Sequence, residues 1–334
     1  MEDQFGHHIN YLRVSVTDRC NERCQYCMPS EEQEWLSREE VLSYEEMLRV
    51  VRVGATQGIS KIRVTGGEPL TRRNVIWFFE QLNEIEGVTD VGISTNGTLL
   101  GKLTPDGITT AQALKNAGVR TVNVSLDSLD PAAYAEATGR DILDRAIGGI
   151  DAAREAGFEK IKINTVLMRN KNEHEFLEII EFARKRDLLL RFIELMPVST
   201  SQVLTSENFL ASGTAKKLIE FSLGELTPRP DYRTNGPSTY YEVPGTGQLI
   251  GFIGAMTNLH FCETCNKLRL TCEGKLRPCL GSHLEFDMRE VLRNPEMNDE
   301  DVAKFFLNVV ARKPEQHEFR DNYQPGRKMV AIGG

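Results

Sequence analysis

From residue 11 onward the chain repeats one pattern. A short, mostly apolar run leads into a polar loop, and the loop into a stretch with apolar residues at helical spacing. The runs YLRVSVT (11–17), KIRVT (61–65), DVGIST (90–95), TVNVSLD (121–127), KIKINTVL (160–167) and LLLRFIELM (188–196) read as strands. The stretches 44–57, 73–86, 108–117, 142–156 and 173–186 read as helices, and Gly58, Gly87, Gly118 and Gly157 stand where C-cap glycines belong. Such alternation predicts βαβ units around a parallel sheet. A span of about 180 residues is short for a closed eight-unit barrel, so the expected fold is α/β, a partial (β/α)6 TIM-like barrel.

After residue 196 the pattern breaks. TPRPDYRTNGPSTYYEVPGTG (227–247) is rich in turn formers and tyrosine, and helices are expected near 286–293 and 299–311. This predicts two parts: a barrel over 1–210 and a smaller C-terminal region over 211–334 that closes over the barrel's open side.

In parallel α/β barrels, chemistry gathers where strands end. Here the first strand runs into CNERCQYC (20–27), the second into TGGEP (65–69), the third into STNG (94–97) and the fourth into SLDS (125–128). The fifth carries Lys162 and Asn164, and the sixth ends at Glu194-Leu195-Met196-Pro197. Alternation sorts the faces. Arg13, Ser15 and Thr17 oppose Leu12, Val14 and Val16; Lys61 and Arg63 oppose Ile62 and Val64; Lys162 alternates with Ile161 and Ile163; Arg191 interrupts an apolar run. Helix-facing positions are apolar, so these cations should point into the barrel. Converging buried cations imply a polyanionic guest such as a phosphorylated substrate; salt bridges to internal Asp or Glu are the alternative.

Seven cysteines fall in two clusters, at 20, 24, 27 and at 262, 265, 272, 279. Clustered thiols in an ordinary soluble composition suggest metal rather than disulfides. Zinc normally closes with a fourth Cys or His, and a redox pair would need only Cys24 and Cys27. An iron–sulfur cubane held by three thiolates leaves one iron open to a small molecule. In the second set, FCETCNKLRLTCEGKLRPC (261–279), spacing leaves zinc and iron–sulfur both open, and Lys267 and Arg269 face one way. The net charge of −8 argues against nucleic acid or an anionic membrane as partner, and no apolar run is long enough for a membrane span. The N-terminal MEDQFGHHIN lacks the apolar core of a secretory signal, so a cytoplasmic protein is expected.

C-x3-C-x2-C followed by a strand ending in GGEP resembles the radical S-adenosylmethionine (SAM) superfamily. Nearly the whole chain is similar to the GTP 3′,8-cyclase family of molybdenum cofactor biosynthesis. The resemblance is carried by LRVSVTDRCNERCQYCMP (12–29), IRVTGGEPLTRR (62–73), STNG, NVSLD, IKINTV, RFIELMP, FCETCNKLRL, Cys279 and the terminal IGG (332–334). The resemblance implies that Cys20, Cys24 and Cys27 hold a 4Fe–4S cluster that binds SAM, and that Gly66, Gly67, Glu68, Pro69, Tyr26, Ser125 and Met196 contact SAM. In that reading the Glu68 carboxylate can meet the SAM ammonium. It implies a second 4Fe–4S cluster on Cys262, Cys265 and Cys279 that binds guanine, and a GTP site of Arg13, Lys61, Arg63, Ser94, Lys162, Arg191, Lys267 and Arg269. A 5′-deoxyadenosyl radical from SAM would take the C3′ hydrogen of GTP, and C3′ would close on C8. Gly333 and Gly334 would reach the active site. A flavodoxin- or ferredoxin-type electron donor, a downstream cyclic pyranopterin monophosphate synthase and a homodimer are also implied. Departures are Lys267, where arginine is usual, the additional Cys272, read as a non-ligand, a longer GKLTPDG (101–107), and CLGSH (279–283) in place of CLF. Another radical SAM enzyme with an auxiliary cluster, such as a peptide-modifying maturase, and a zinc-stabilised non-enzymatic protein are the alternatives.

Overall fold

The computed structural model describes residues 1–28, 34–198, 204–321, 323–324 and 326–333. In chain order the first elements are β1 (Tyr11–Ser15), α1 (Tyr44–Thr56), β2 (Lys61–Thr65), α2 (Val75–Asn83), β3 (Asp90–Thr95), α3 (Thr110–Asn116), β4 (Thr121–Ser125), α4 (Pro131–Thr138), α5 (Leu143–Glu155), β5 (Lys160–Leu167), α6 (Phe176–Lys185) and β6 (Leu189–Glu194). Then follow α7 (Ser212–Leu223), β7 (Thr227–Pro228), β8 (Thr239–Glu242), β9 (Leu249–Ile253), β10 (Lys267–Leu270), β11 (Lys275–Arg277), β12 (Phe286–Asp287), α8 (Arg289–Leu292), α9 (Asp299–Ala311) and α10 (Met329–Ile332).

Local chemistry sets the boundaries. Helix α1 starts at Ser43, whose hydroxyl accepts from the Glu46 amide while Glu46 accepts from the Ser43 amide, a capping box. Helix α2 starts later than 73 because Asn74 takes a left-handed turn at φ 60°. The predicted helix at 173–186 begins as a 3-10 turn, Glu173–Glu175. Gly58, Gly87, Gly118 and Gly157 all have positive φ.

Three helices were missed: α4, α7 and the four-residue α10. Helix α4 carries the ordinary start signal Asp130-Pro131, with Asp130 accepting from the Ala133 amide at 2.8 Å, but its apolar periodicity is weak. Helix α7 starts after Ala211 without a side-chain cap. The helix expected over 286–293 is instead the short strand β12 and the four-residue α8.

Among the described residues the strands form a 12-stranded sheet in the order β12-β11-β10-β1-β2-β3-β4-β5-β6-β9-β8-β7. Strands β1 to β6 are parallel, as the alternation predicts. The C-terminal region does more than cover the open side. Strand β9 continues the parallel sheet beside β6, and β10 continues it beside β1. Antiparallel partners then finish both edges. The apolar core lies between sheet and helices, with Leu12, Val14, Ile62, Val64, Phe78, Phe79, Phe176 and Phe192 buried. Polar side chains fill the inner face. Among the described residues, no helix is long and apolar enough to cross a membrane.

Candidate active site

Strand register stacks the inward cations in layers. Lys267, Tyr11 and Lys61 lie side by side on β10, β1 and β2; one pleat further along, Arg269, Arg13 and Arg63 do the same. Lys162 is beside Asn123, which is beside the half-buried Ser94, and Arg191 is beside Asn164, which is beside the exposed Ser125. Neutral groups hold most of these cations. Arg63 donates to Tyr11 Oη at 3.1 Å, to the carbonyls of Ile93 and Thr121 at 3.1 and 3.0 Å, and to Thr121 Oγ1 at 2.7 Å. Arg191 donates twice to Asn164 Oδ1, at 2.9 and 2.6 Å. Lys61 donates to Asn235 Oδ1 at 2.8 Å, at a cleft of about 480 Å³ also lined by Tyr232, Arg233 and His260. Lys267 donates to Asn266 Oδ1 at 3.1 Å and lies over the Tyr11 ring.

Uncompensated positive charge shows in the titrations. Burial, then repulsion from Arg191, Arg63 and Lys160, brings Lys162 down to about 7. Burial raises the Tyr11 phenol, but Arg63, Arg13 and Lys267 outweigh it and set the phenol at about 8. A barrel interior of this kind favours a bound polyanion.

At the strand ends, the cysteine loop is tied to its neighbours by backbone. The Gly67 amide donates to the Thr17 carbonyl at 2.7 Å and the Glu68 amide to the Arg19 carbonyl at 2.9 Å. A Cβ on Gly66 would stand 2.7 Å from the Thr17 carbonyl, and one on Gly67 would collide with the Arg19 backbone. The two glycines therefore let TGGEP lie against the cysteine loop. Glu68 is fully buried. It accepts from the amides of Leu70 and Asn96 at 3.0 and 2.8 Å and from Thr95 Oγ1 at 2.9 Å. Through these bonds Glu68 ties the ends of β2 and β3 together. Burial lifts its pKa to about 7. Pro69 opens a 3-10 turn behind it.

Two more buried acids brace the loop. Tyr26 donates to Asp127 Oδ2 at 2.7 Å, and the other Asp127 oxygen accepts the Val166 amide at 2.8 Å. Tyr134 donates to Glu22 at 2.5 Å. Burial raises Asp127 to about 6 and Glu22 to about 7. Cys20, Cys24 and Cys27 form no disulfide and are half-buried. Burial pushes Cys20 and Cys27 up to about 12 and also raises Cys24 well above the usual thiol value. Among the described residues, no three His, Cys, Asp or Glu are gathered tightly enough to hold one metal ion. An all-thiol set spread along one loop fits a cluster, whose ligands bind separate irons.

The second set resolves into three and one. Cys262, Cys265 and Cys279 lie within electrostatic reach of one another and of the Lys313 ammonium. Burial raises Cys262, and raises Cys279 to about 11. In Cys265 the effect of burial is outweighed by Lys313 and Lys267, so its pKa falls. Cys272 lies in the apolar core with Leu268 and Leu270, and its charged neighbours are Asp18, Glu273 and Arg72. The tail enters beside this set. Arg269 Nη1 donates to the Gly333 carbonyl at 2.8 Å, and a Cβ on Gly333 would stand 2.8 Å from Ser15 Cβ. Gly334 lies outside the described residues. Met196 packs with Val198, Phe319 and Tyr323 in a small apolar cluster.

Residues not singled out from sequence also enter the site. Tyr11 shares parity with Arg13, a usable signal. Gly92 is needed because a Cβ there would collide with the Arg63 guanidinium and Thr121. Asn235 and Lys313 gave no signal, since each reaches the site through tertiary packing.

Residues 14–183 match the family described as the radical SAM superfamily, and residues 188–319 match Molybdenum Cofactor Synthesis C. The chain is 41% identical to the GTP 3′,8-cyclase of Thermodesulfovibrio yellowstonii over 335 aligned residues, covering 100% of both chains. It is 40% identical to that of Petrotoga mobilis, again over 100% of both, and 40% identical to that of Ectopseudomonas mendocina over 99% of this chain and 98% of the other. Streptococcus suis SuiB bound to the precursor peptide SuiA shares the fold at TM-score 0.63 and 16% identity, over 98% of this chain and 76% of that one. Native anSMEcpe with bound AdoMet shares it at 0.58 and 16%, over 92% and 82%. A radical SAM domain implies a 4Fe–4S cluster and SAM. The inward cations, the two thiol sets and full-length similarity agree: this chain belongs to the GTP 3′,8-cyclase family of the radical SAM superfamily.

Proposed function

We propose that this protein converts GTP to (8S)-3′,8-cyclo-7,8-dihydroguanosine 5′-triphosphate. The observation that carries this reading is the paired cation layers, in which β10 from the second cysteine segment places Lys267 and Arg269 in register with β1 and β2. A 4Fe–4S cluster would supply the electron that cleaves SAM to methionine and the adenosyl group that takes the C3′ hydrogen of GTP, and after C3′ bonds to C8 one further electron, from the reducing donor, and one proton would complete the dihydro product. Cys20, Cys24 and Cys27 hold that cluster. Gly66, Gly67, Glu68, Pro69, Tyr26, Ser125 and Met196 contact SAM, and Glu68 also ties the loops around it together. Arg13, Lys61, Arg63, Ser94, Lys162, Arg191, Lys267 and Arg269 hold GTP and keep its ribose near SAM. Water is excluded by the buried inner face and by the tail at Gly333.

A second 4Fe–4S cluster sits on Cys262, Cys265 and Cys279, with Cys272 in the core. Residues 1–210 supply the barrel and SAM site, and 211–334 the second cluster and tail. The enzyme works in the cytoplasm as a homodimer, receives electrons from a flavodoxin- or ferredoxin-type donor, and passes its product to a cyclic pyranopterin monophosphate synthase. The test is anaerobic incubation of the iron-loaded protein with SAM, GTP and a reductant. Cyclised triphosphate and 5′-deoxyadenosine should form together. SAM cleavage without any GTP-derived product would refute the reading and point to another radical SAM substrate.

A further inference from the structure

Lys313 follows α9, and its amide closes the last turn on the Val310 carbonyl at 3.0 Å. The residue is only 2% exposed. Its ammonium donates to Cys265 Sγ at 3.5 Å, to the Lys267 carbonyl at 3.4 Å and to the Pro278 carbonyl at 2.7 Å. An ammonium has three donors, and these three contacts use them. Each contact reaches a different part of the second thiol site: a ligand, the strand bearing Lys267 and Arg269, and the residue before Cys279. A buried ammonium is costly unless negative charge accompanies it. The partners named here are carbonyls and one thiol, and the charge within reach is that of Cys262, Cys265 and Cys279 in their thiolate form.

We propose that Lys313 is a positioning residue for the second cluster, fixing Cys265 between β10 and the Pro278–Cys279 turn and supplying the buried positive charge that the thiolate-bound cluster requires. The inference rests on the second-cluster reading. It has a redox consequence. A fixed cation beside an anionic cluster stabilises the more negative, reduced state, and so raises the reduction potential. Holding the Lys267 carbonyl also links the thiol site to the strand that faces GTP.

The experiment compares anaerobically loaded wild type, Lys313→Met and Lys313→Arg by iron content and by redox titration followed with electron paramagnetic resonance. The first cluster serves as the internal control. The potential of the second cluster should fall in Lys313→Met and return toward wild type in Lys313→Arg, while the first is unmoved. Loss of the second cluster from Lys313→Met alone, with retention in Lys313→Arg, also supports the proposal. Two intact clusters with an unshifted potential in Lys313→Met overturn it and leave the cluster reading standing. Loss of the second cluster from both variants overturns the role given to charge. A wild type that binds only the first cluster overturns the cluster reading, and this proposal with it.

Discussion

Lys162 should report nucleotide binding by taking up a proton. In the free protein its pKa is about 7, against an ordinary 10.5, because burial and neighbouring Arg191, Arg63 and Lys160 disfavour the charged form. At pH 8 only about a tenth of Lys162 is therefore charged. A triphosphate in the barrel offsets the repulsion and restores the ammonium. Binding at pH 8 should then take up about 0.9 proton at this residue. The phosphates themselves have titrated by then, with a second pKa near ~6 for phosphate monoesters. From pH 8 to pH 9, the Lys162 contribution should weaken binding by about ninefold, or about 1.3 kcal/mol.

The sign also applies to folding. Between pH 7 and 10.5 the unfolded chain keeps a proton that the free folded protein has released, so Lys162 makes the free protein more stable as pH rises through that window. Bound nucleotide reduces this trend. The assay is calorimetric GTP binding to the anaerobic holoenzyme at pH 8, in two buffers with different ionisation enthalpies, for wild type and Lys162→Met. Tyr11, at about 8, also titrates here and strengthens the pH dependence. It remains in Lys162→Met, so the difference between the proteins isolates the lysine. Equal proton uptake in both would refute the reasoning.

Gly92→Ala puts a methyl against the Arg63 guanidinium; we expect a loss of about 1–3 kcal/mol in denaturant unfolding, with weaker GTP binding. Cys272→Ala should keep the full iron content, and Cys279→Ala should lose about half of it; the reverse would reassign the ligands. Gly333 has φ 72° and touches Ser15, so Gly333→Ala adds about 1–2 kcal/mol of local strain. Product formation should fall while the melting temperature holds, and full activity would remove the tail from the site. Asp127→Asn weakens the hold on Tyr26 and should lower SAM affinity more than GTP affinity, measured by equilibrium binding of each.

The parallel strands were legible because each buries its helix-facing side, and alternation alone separates Leu12 and Val14 from Arg13 and Ser15. Helix α1 was legible from the helical spacing of its apolar residues over 44–57, and its capping box at Ser43 and Glu46 fixes where it starts. Strands β8 and β9 were hidden by the turn formers around them, and α4 by its weak apolar stripe. Alternation says which face a residue takes, but not which strand lies beside it. Nothing local to FCETCNKLRL indicates that it will pair with β1, at one end of the inner sheet, while LIGFI pairs with β6 at the other.

That limit explains which site residues could be read. Arg13, Arg63, Lys162 and Arg191 announce themselves as cations at inward positions of otherwise apolar strands. Thiols announce themselves by spacing. Glu68 was recognisable as part of GGEP, yet its role depends on Thr95 and Asn96 arriving from β3 to fill its oxygens. Gly92 looks like an ordinary strand glycine until Arg63 crosses it. Lys313 follows a helix in KPEQH, as many solvent-facing lysines do, and only the pairing of β10 with β1 and the packing of α9 on α1 bring it to the thiols. Residues that act through their own chemistry were legible; residues that act by holding another group required the tertiary structure that supplies that group.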